Sequence, residues 1–101
     1  MLDYAALRGQ IVGALSVAEC QTLARVAAST TASRALEVGH YLGLSTAVLL
    51  DALPADCELV TIDHHQGDMW APAVPESDFL GNVSSFVGDR EFVAINDDMV
   101  S

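Results

Sequence analysis

The 101-residue chain has no lysine and four arginines, against fourteen aspartates and glutamates, a net charge of −10. Without lysine there is no Schiff-base chemistry and no phosphate-gripping P-loop lysine. Basic groups this sparse exclude binding driven by attraction to a nucleic-acid backbone or an anionic membrane surface, although a small nucleotide-like ligand held by specific groups stays open. Cysteine is also scarce. Cys20 and Cys57 show no C-x-x-C or other metal spacing, and no charged and then apolar leader opens the chain, so a reduced, cytoplasmic protein is expected. No run approaches the ~18 apolar residues that spanning a bilayer requires. Aromatic residues make up 6%.

What is present is half hydrophobic (51%), with a positive mean hydropathy of +0.36. A chain of this length buries roughly two thirds of its unfolded surface. One domain spanning 1–101 with a modest core is therefore expected, and disorder is not. The charge is uneven: residues 1–50 hold three acids and three bases, whereas 51–101 hold eleven acids and Arg90 alone.

Ser16-x-x-Glu19 reads as a capping box ahead of an apolar stripe, Val17, Cys20, Leu23, Ala24 and Ala27, predicting the first helix to about Ala28. Residues 34–38 form a short apolar run ending at Gly39, a buried strand. Leu44 to Leu53 is a helix stopped by Pro54. Glu58 to Ile62 is a strand by its β-branched content, followed by a loop through Pro75. Phe79, Leu80, Val83, Phe86 and Val87 recur at helical spacing, giving a helix from about Glu76 to Val87, and Glu91 to Ile95 is a third strand. Strands alternating with single helices imply a Rossmann-like open parallel α/β sheet of three strands, whose ligands bind beyond the strands' carboxyl ends. Those ends are Gly39 to Gly43, Asp63 to Asp68, and Asn96 to Asp98.

The chemistry concentrates in Glu37-Val38-Gly39-His40-Tyr41-Leu42-Gly43-Leu44-Ser45-Thr46, on a strand-to-helix turn. Gly39 can take backbone angles closed to other residues and let a ligand approach the main chain, while Gly43 allows the helix start to pack close to the strand. Asp63, 26 positions after Glu37, closes the next strand, placed to accept hydrogen bonds from ribose hydroxyls. His40 and Tyr41 lie inside the turn, with backbone positioning roles. His64 adjoins Asp63 at the same strand end. The alternative for Gly39 and Gly43 is simple packing within an α/β domain.

At these residues the sequence resembles the class I S-adenosylmethionine (SAM)-dependent methyltransferases, in the small-molecule, catechol O-methyltransferase-like branch with an acid-x-Gly-x-x-x-Gly-x-Ser signature. Tyr41 occupies a position that many members fill with glycine, and Ser45 marks the branch that lacks it. The resemblance covers roughly residues 35–98. It implies SAM as cofactor, SAM or S-adenosylhomocysteine as bound ligand, a glycine loop on the methionine part, Asp63 on the ribose, and Asp97 or Asp98 near the adenine. The expected cofactor-binding set is thus Glu37, Gly39, His40, Tyr41, Gly43, Ser45, Asp63, His64, Asp97 and Asp98. No catalytic residue is assigned, because methyl transfer by in-line displacement chiefly requires positioning.

Other readings compete. A non-catalytic module binding an adenosyl ligand, or serving assembly, uses the same fold. Asp63-His64-His65 also resembles the Asp-His-His motif of DHH phosphoesterases, but residues 1–62 contain no Asp-x-Asp to complete a metal cage. His64 and His65 read as solvated loop residues, and no metal site is expected. Trp70 reads equally as a cover for a ligand or as a loop anchor. Phe79, Val83 and Phe86 are expected in the core, and Cys57, at an amino end, has no catalytic role. The resembled fold has seven strands in the order 3-2-1-4-5-7-6, so the first strand here would be an uncovered edge. Ala35, Leu36 and Val38 would lie on it, blunted only by Arg34 and Glu37, and a homodimer or larger assembly is expected.

Overall fold

The computed structural model describes residues 2–65, 73 and 75–96. Seven elements follow in order: α1 (Tyr4–Gln10), α2 (Val17–Ala28), β1 (Arg34–Val38), α3 (Leu44–Ala52), β2 (Glu58–Asp63), α4 (Glu76–Val87) and β3 (Phe92–Asn96). The three strands form one parallel sheet in the order β1-β2-β3, with Leu36 opposite Val60 and Val60 opposite Val93. No helix among the described residues is long and apolar enough to cross a membrane.

Local chemistry explains most boundaries. Ser16 accepts from the Glu19 amide while the Glu19 carboxylate accepts from the Ser16 amide, the reciprocal cap its spacing implies. α1 is an element beyond the sequence expectation. Asp3 caps it by accepting from the Ala6 amide at 3.1 Å, and Tyr4, Leu7 and Ile11 bury one side of it against Cys20, Leu44 and Val48. At seven residues α1 is too short for its periodicity to stand out, and packing supplies what propensity does not.

The carboxyl end of α3 is closed from a distance. The Arg90 guanidinium donates to the carbonyls of Leu50, Leu53, Pro54 and Cys57, at 2.5–3.0 Å. The one cation in the acidic half is thus spent on a helix terminus whose carbonyls lack intrahelical partners.

Strand alternation divides the sheet sharply. Ala35, Glu37, Leu59, Thr61, Phe92 and Ala94 face the helices, where Leu59 packs with Leu50, Leu53, Phe79 and Val83. Leu36, Val38, Val60, Ile62, Val93 and Ile95 face away, and Leu36 and Val38 remain 65% and 62% exposed. β1 is an edge strand, as expected. One part of that expectation is corrected: Glu37 does not blunt the edge, because it points under the helices and is buried, and Arg34 is paired with Glu58.

Candidate functional site

The site grows from the turn between β1 and α3. Gly39 continues the ladder by donating to the Ile62 carbonyl at 2.7 Å. The chain then passes through Gly39 at φ +82°, Tyr41 at +46° and Gly43 at +103°. Three left-handed residues within five make a tight reversal, and the non-glycine Tyr41 needs outside support to hold it. Asp63 gives that support, its carboxylate accepting from the Tyr41 amide at 2.7 Å and from the His65 amide at 3.0 Å. Burial alone would raise the Asp63 carboxyl, but the hydrogen bonds from the His65 and Tyr41 amides hold it below the usual range. The side chain expected at a ribose thus also clamps the ends of β1 and β2 together.

The two glycines differ. A side chain at Gly39 would meet no atom within 4 Å, so the backbone there borders open space. A Cβ at Gly43 would come within 2.5 Å of Val83 and 3.2 Å of Phe79. The close approach expected at Gly43 is therefore to α4 and not to the strand. Asn82 of α4 reinforces it by donating to the Leu42 carbonyl at 2.9 Å. Gly43 also caps α3 without any side-chain hydrogen bond to the helix amides.

Glu37 is buried and Ser45 half-buried, and both belong to one cluster of hydrogen bonds. The Glu37 carboxylate accepts from Ser45 and Thr46, each at 2.5 Å, and from Thr61 at 2.7 Å. Hydrogen bonds to a charged acceptor contribute about 1.5–3 kcal/mol each, so this cluster ties β1, β2 and the first turn of α3 together beneath the glycine turn.

Beside it sits a group that sequence reasoning missed. His65 is not a solvated loop residue: it is 9% exposed, at φ +59°, with its ring turned toward His40. His40 is 2% exposed and stacks on Phe79 with ring centres 3.7 Å apart. Its Nδ1 is 2.8 Å from the Thr61 hydroxyl and its Nε2 2.9 Å from His65 Nε2. Burial pushes the His40 imidazole down to about 4, against the opposing pull of the Asp63 and Glu76 carboxylates, so the ring is neutral at pH 7. His65 Nδ1 is closed from solvent and has no hydrogen-bond partner among the described residues. The only sequence hint was that adjacent histidines in an extended segment point apart; which one turns inward depends on the left-handed His65 backbone.

His64 lies 3.8 Å from Asp63 and is partly exposed. Because His65 is committed to His40 and Phe79, Asp63, His64 and His65 do not converge as the ligand set an Asp-His-His metal site would need, and no metal-holding cluster occurs among the described residues. Asp97 and Asp98, together with Asp68 and Trp70, lie outside the described residues. Gly39, His40, Tyr41, Asp63 and His64 gather at the strand ends. Glu37 and Ser45 hold that group from below, and Gly43 holds it against α4.

No family model matches this sequence, and no curated protein does. Solved structures do match in shape. A protein from Klebsiella pneumoniae assigned as an O-methyltransferase superposes with a TM-score of 0.66 at 21% identity, over 93% of this chain and 43% of its own. The O-methyltransferase TomG from Streptomyces achromogenes, involved in tomaymycin synthesis and solved in complex with SAM, superposes with a TM-score of 0.60 at 24% identity, over 83% of this chain and 35% of its own. The described architecture is thus the open parallel α/β fold of class I O-methyltransferases, in a chain spanning less than half the length of the enzymes it matches.

Proposed function

We propose that this chain is the SAM-binding part of a class I methyltransferase acting on a small molecule, incomplete for catalysis by itself. The observation that carries the reading is the Asp63 clamp: one carboxylate at the end of β2 fixes the glycine turn after β1 through the Tyr41 amide. That builds a preformed, open-sided cradle at Gly39 in a fold shared with a SAM-bound enzyme. In this reading Gly39, His40 and Tyr41 present backbone to the methionine part, Asp63 and His64 meet the ribose, and Asp97 or Asp98 meets the adenine. Glu37, Gly43 and Ser45 act by holding the turn in shape.

SAM supplies a methyl group on a sulfonium, an electrophile that needs no activation. The residues here bind and orient it, and the acceptor's nucleophile is positioned by other parts of a complete enzyme. Binding needs no divalent cation, and the acidic surface keeps nucleic acid and anionic membranes away. The chain works in the cytoplasm and self-associates as a homodimer or larger species. A second reading, a non-catalytic adenosyl-ligand or assembly module, is favoured by the uncovered apolar sheet face, which suits a partner.

Titration calorimetry with S-adenosylhomocysteine tests the proposal. Saturable binding that survives a chelator is expected, and Gly39→Val should weaken it at least tenfold, because φ +82° disfavours a branched side chain and the open space at Gly39 becomes filled. Equal affinity in that variant, or no binding by the parent chain, overturns the site. Methyl transfer by this chain alone is expected to be absent, and turnover would overturn both its incompleteness and the non-catalytic module.

A further inference from the structure

Three residues of α4 meet three members of the glycine turn in order. Phe79 stacks on the His40 ring, Asn82 donates to the Leu42 carbonyl at 2.9 Å, and Val83 closes on Gly43, where a Cβ would come within 2.5 Å of it. Their spacing, i, i+3 and i+4, puts all three on one side of the helix. Phe79 and Val83 fix how near α4 lies to the turn. Of the three contacts only the hydrogen bond from Asn82 has a direction, and it therefore decides how a peptide plane is turned.

The plane in question joins Leu42 to Gly43. Its N–H, on Gly43, donates to the His40 carbonyl at 2.8 Å and closes the turn, while its carbonyl, on Leu42, accepts from Asn82. A carbonyl only accepts, so the Asn82 atom facing it is the amide nitrogen. The Gly43 backbone does not itself keep the plane in place: its φ of +103° is one of many that glycine adopts at little cost, and the plane can flip once its carbonyl is released. Tyr41, a non-glycine at φ +46°, is strained and adds to that tendency. Asp63 holds the turn at the Tyr41 amide, two peptide planes earlier, and leaves this one to α4.

We infer that Asn82 is a positioning residue of the adenosyl site, holding the 42–43 peptide in the orientation in which the turn offers the backbone of Gly39, His40 and Tyr41 to a ligand. The inference rests on the adenosyl-ligand reading above and adds to it a residue that acts through Leu42. A turn that is competent only part of the time lowers affinity by that fraction, so a competent fraction of about one in ten gives a tenfold loss.

Hydrogen exchange and calorimetry with S-adenosylhomocysteine test this on the parent chain, Asn82→Asp, Asn82→Ala and Leu50→Ala. Asn82→Asp keeps the shape of the side chain but at pH 7.5 sets a carboxylate, which cannot donate, against the Leu42 carbonyl. In that variant the Gly43 amide should exchange at least tenfold faster, while the Gly39 amide, bonded to the Ile62 carbonyl across the ladder, keeps its protection. Affinity should fall tenfold or more, and at least as far as in Asn82→Ala. A role in packing alone predicts the opposite order, because Ala removes volume and Asp does not. Leu50→Ala opens the core at the far end of α3, where Leu50 is 3% exposed, and should bind as the parent does. Full affinity or an unchanged Gly43 amide in Asn82→Asp, a larger loss in Asn82→Ala, or an equal loss in Leu50→Ala overturns the role of Asn82 and leaves the adenosyl site standing. A parent chain that binds no S-adenosylhomocysteine overturns the adenosyl reading and, with it, the role of Asn82 toward that ligand.

Discussion

The two faces of the three-stranded sheet are made by alternate residues of the same strands, yet they are opposite in character. Beneath the helices lie the charged and hydroxyl-bearing Glu37 and Thr61 among Leu59, Phe92 and Ala94, and the face away from the helices is Leu36, Val38, Val60, Ile62, Val93 and Ile95. Burial and polarity thus run against the usual pairing. Glu37 and Thr61 are tolerated inside because both are hydrogen-bonded: three hydroxyls meet one carboxylate, and one imidazole meets a hydroxyl. The outer face has the composition of a parallel strand that expects cover on both sides. Among the described residues nothing covers it, in a chain that spans less than half of its structural neighbours.

The most severe way to break the covered face is Gly43→Val. The new side chain would collide with Val83 at a backbone angle of +103° that a branched residue rarely takes. A loss of about 4 kcal/mol, a large part of a small domain's stability, is expected in urea unfolding.

A direct comparison of the faces comes next. Leu59→Ala, at a fully buried position, should cost about 3 kcal/mol, whereas Leu36→Ala on the open face should stay within about 0.5 kcal/mol. Equal costs would mean that the outer face is covered in solution.

Acid should weaken the covered face selectively. His40 titrates near 4 when folded and near its ordinary value of 6.5 when unfolded, so the unfolded chain binds more protons between those limits. Stability is therefore fully present above about pH 6.5 and falls as pH drops toward 4, by about 1–2 kcal/mol after allowing for solvent screening. Asp63, also depressed, acts in the same direction at lower pH. His40→Gln should flatten the slope between pH 4 and 6.5 in a series of urea melts; an unchanged slope would assign the acid sensitivity elsewhere.

The smallest effect on stability, with the clearest change in assembly, belongs to the open face. Leu36→Arg together with Val38→Thr should leave the unfolding midpoint nearly unchanged while converting a dimer or larger species to monomer by light scattering after gel filtration. A monomeric parent chain would remove the case for assembly through this face.

Much of the fold was legible in order. The capping box at Ser16 and Glu19 marked the start of α2, Pro54 marked the end of α3, a short apolar run ending at Gly39 marked β1 and β-branched content marked β2, because each of these signals acts within a few residues. α1 went unread because a seven-residue helix is stabilised by its contacts with α2 and α3 more than by its own sequence. The glycine turn and Asp63 were also legible, since left-handed backbone favours glycine and a strand-end acid has few other uses.

The sequence by itself determined that a parallel α/β sheet would form, with a glycine turn and an acid at adjacent strand ends and an excess of apolar residues on its first strand. The tertiary structure alone decided what those residues do to one another. It turned Glu37 from an edge guard into the anchor of three hydroxyls, set Gly43 against α4, and drew His65 out of a loop onto His40. Periodicity and capping are properties of neighbours in sequence. A hydrogen bond between positions 40 and 65, or a Cβ clash between 43 and 83, exists only once a crossover has brought distant segments within a few ångströms.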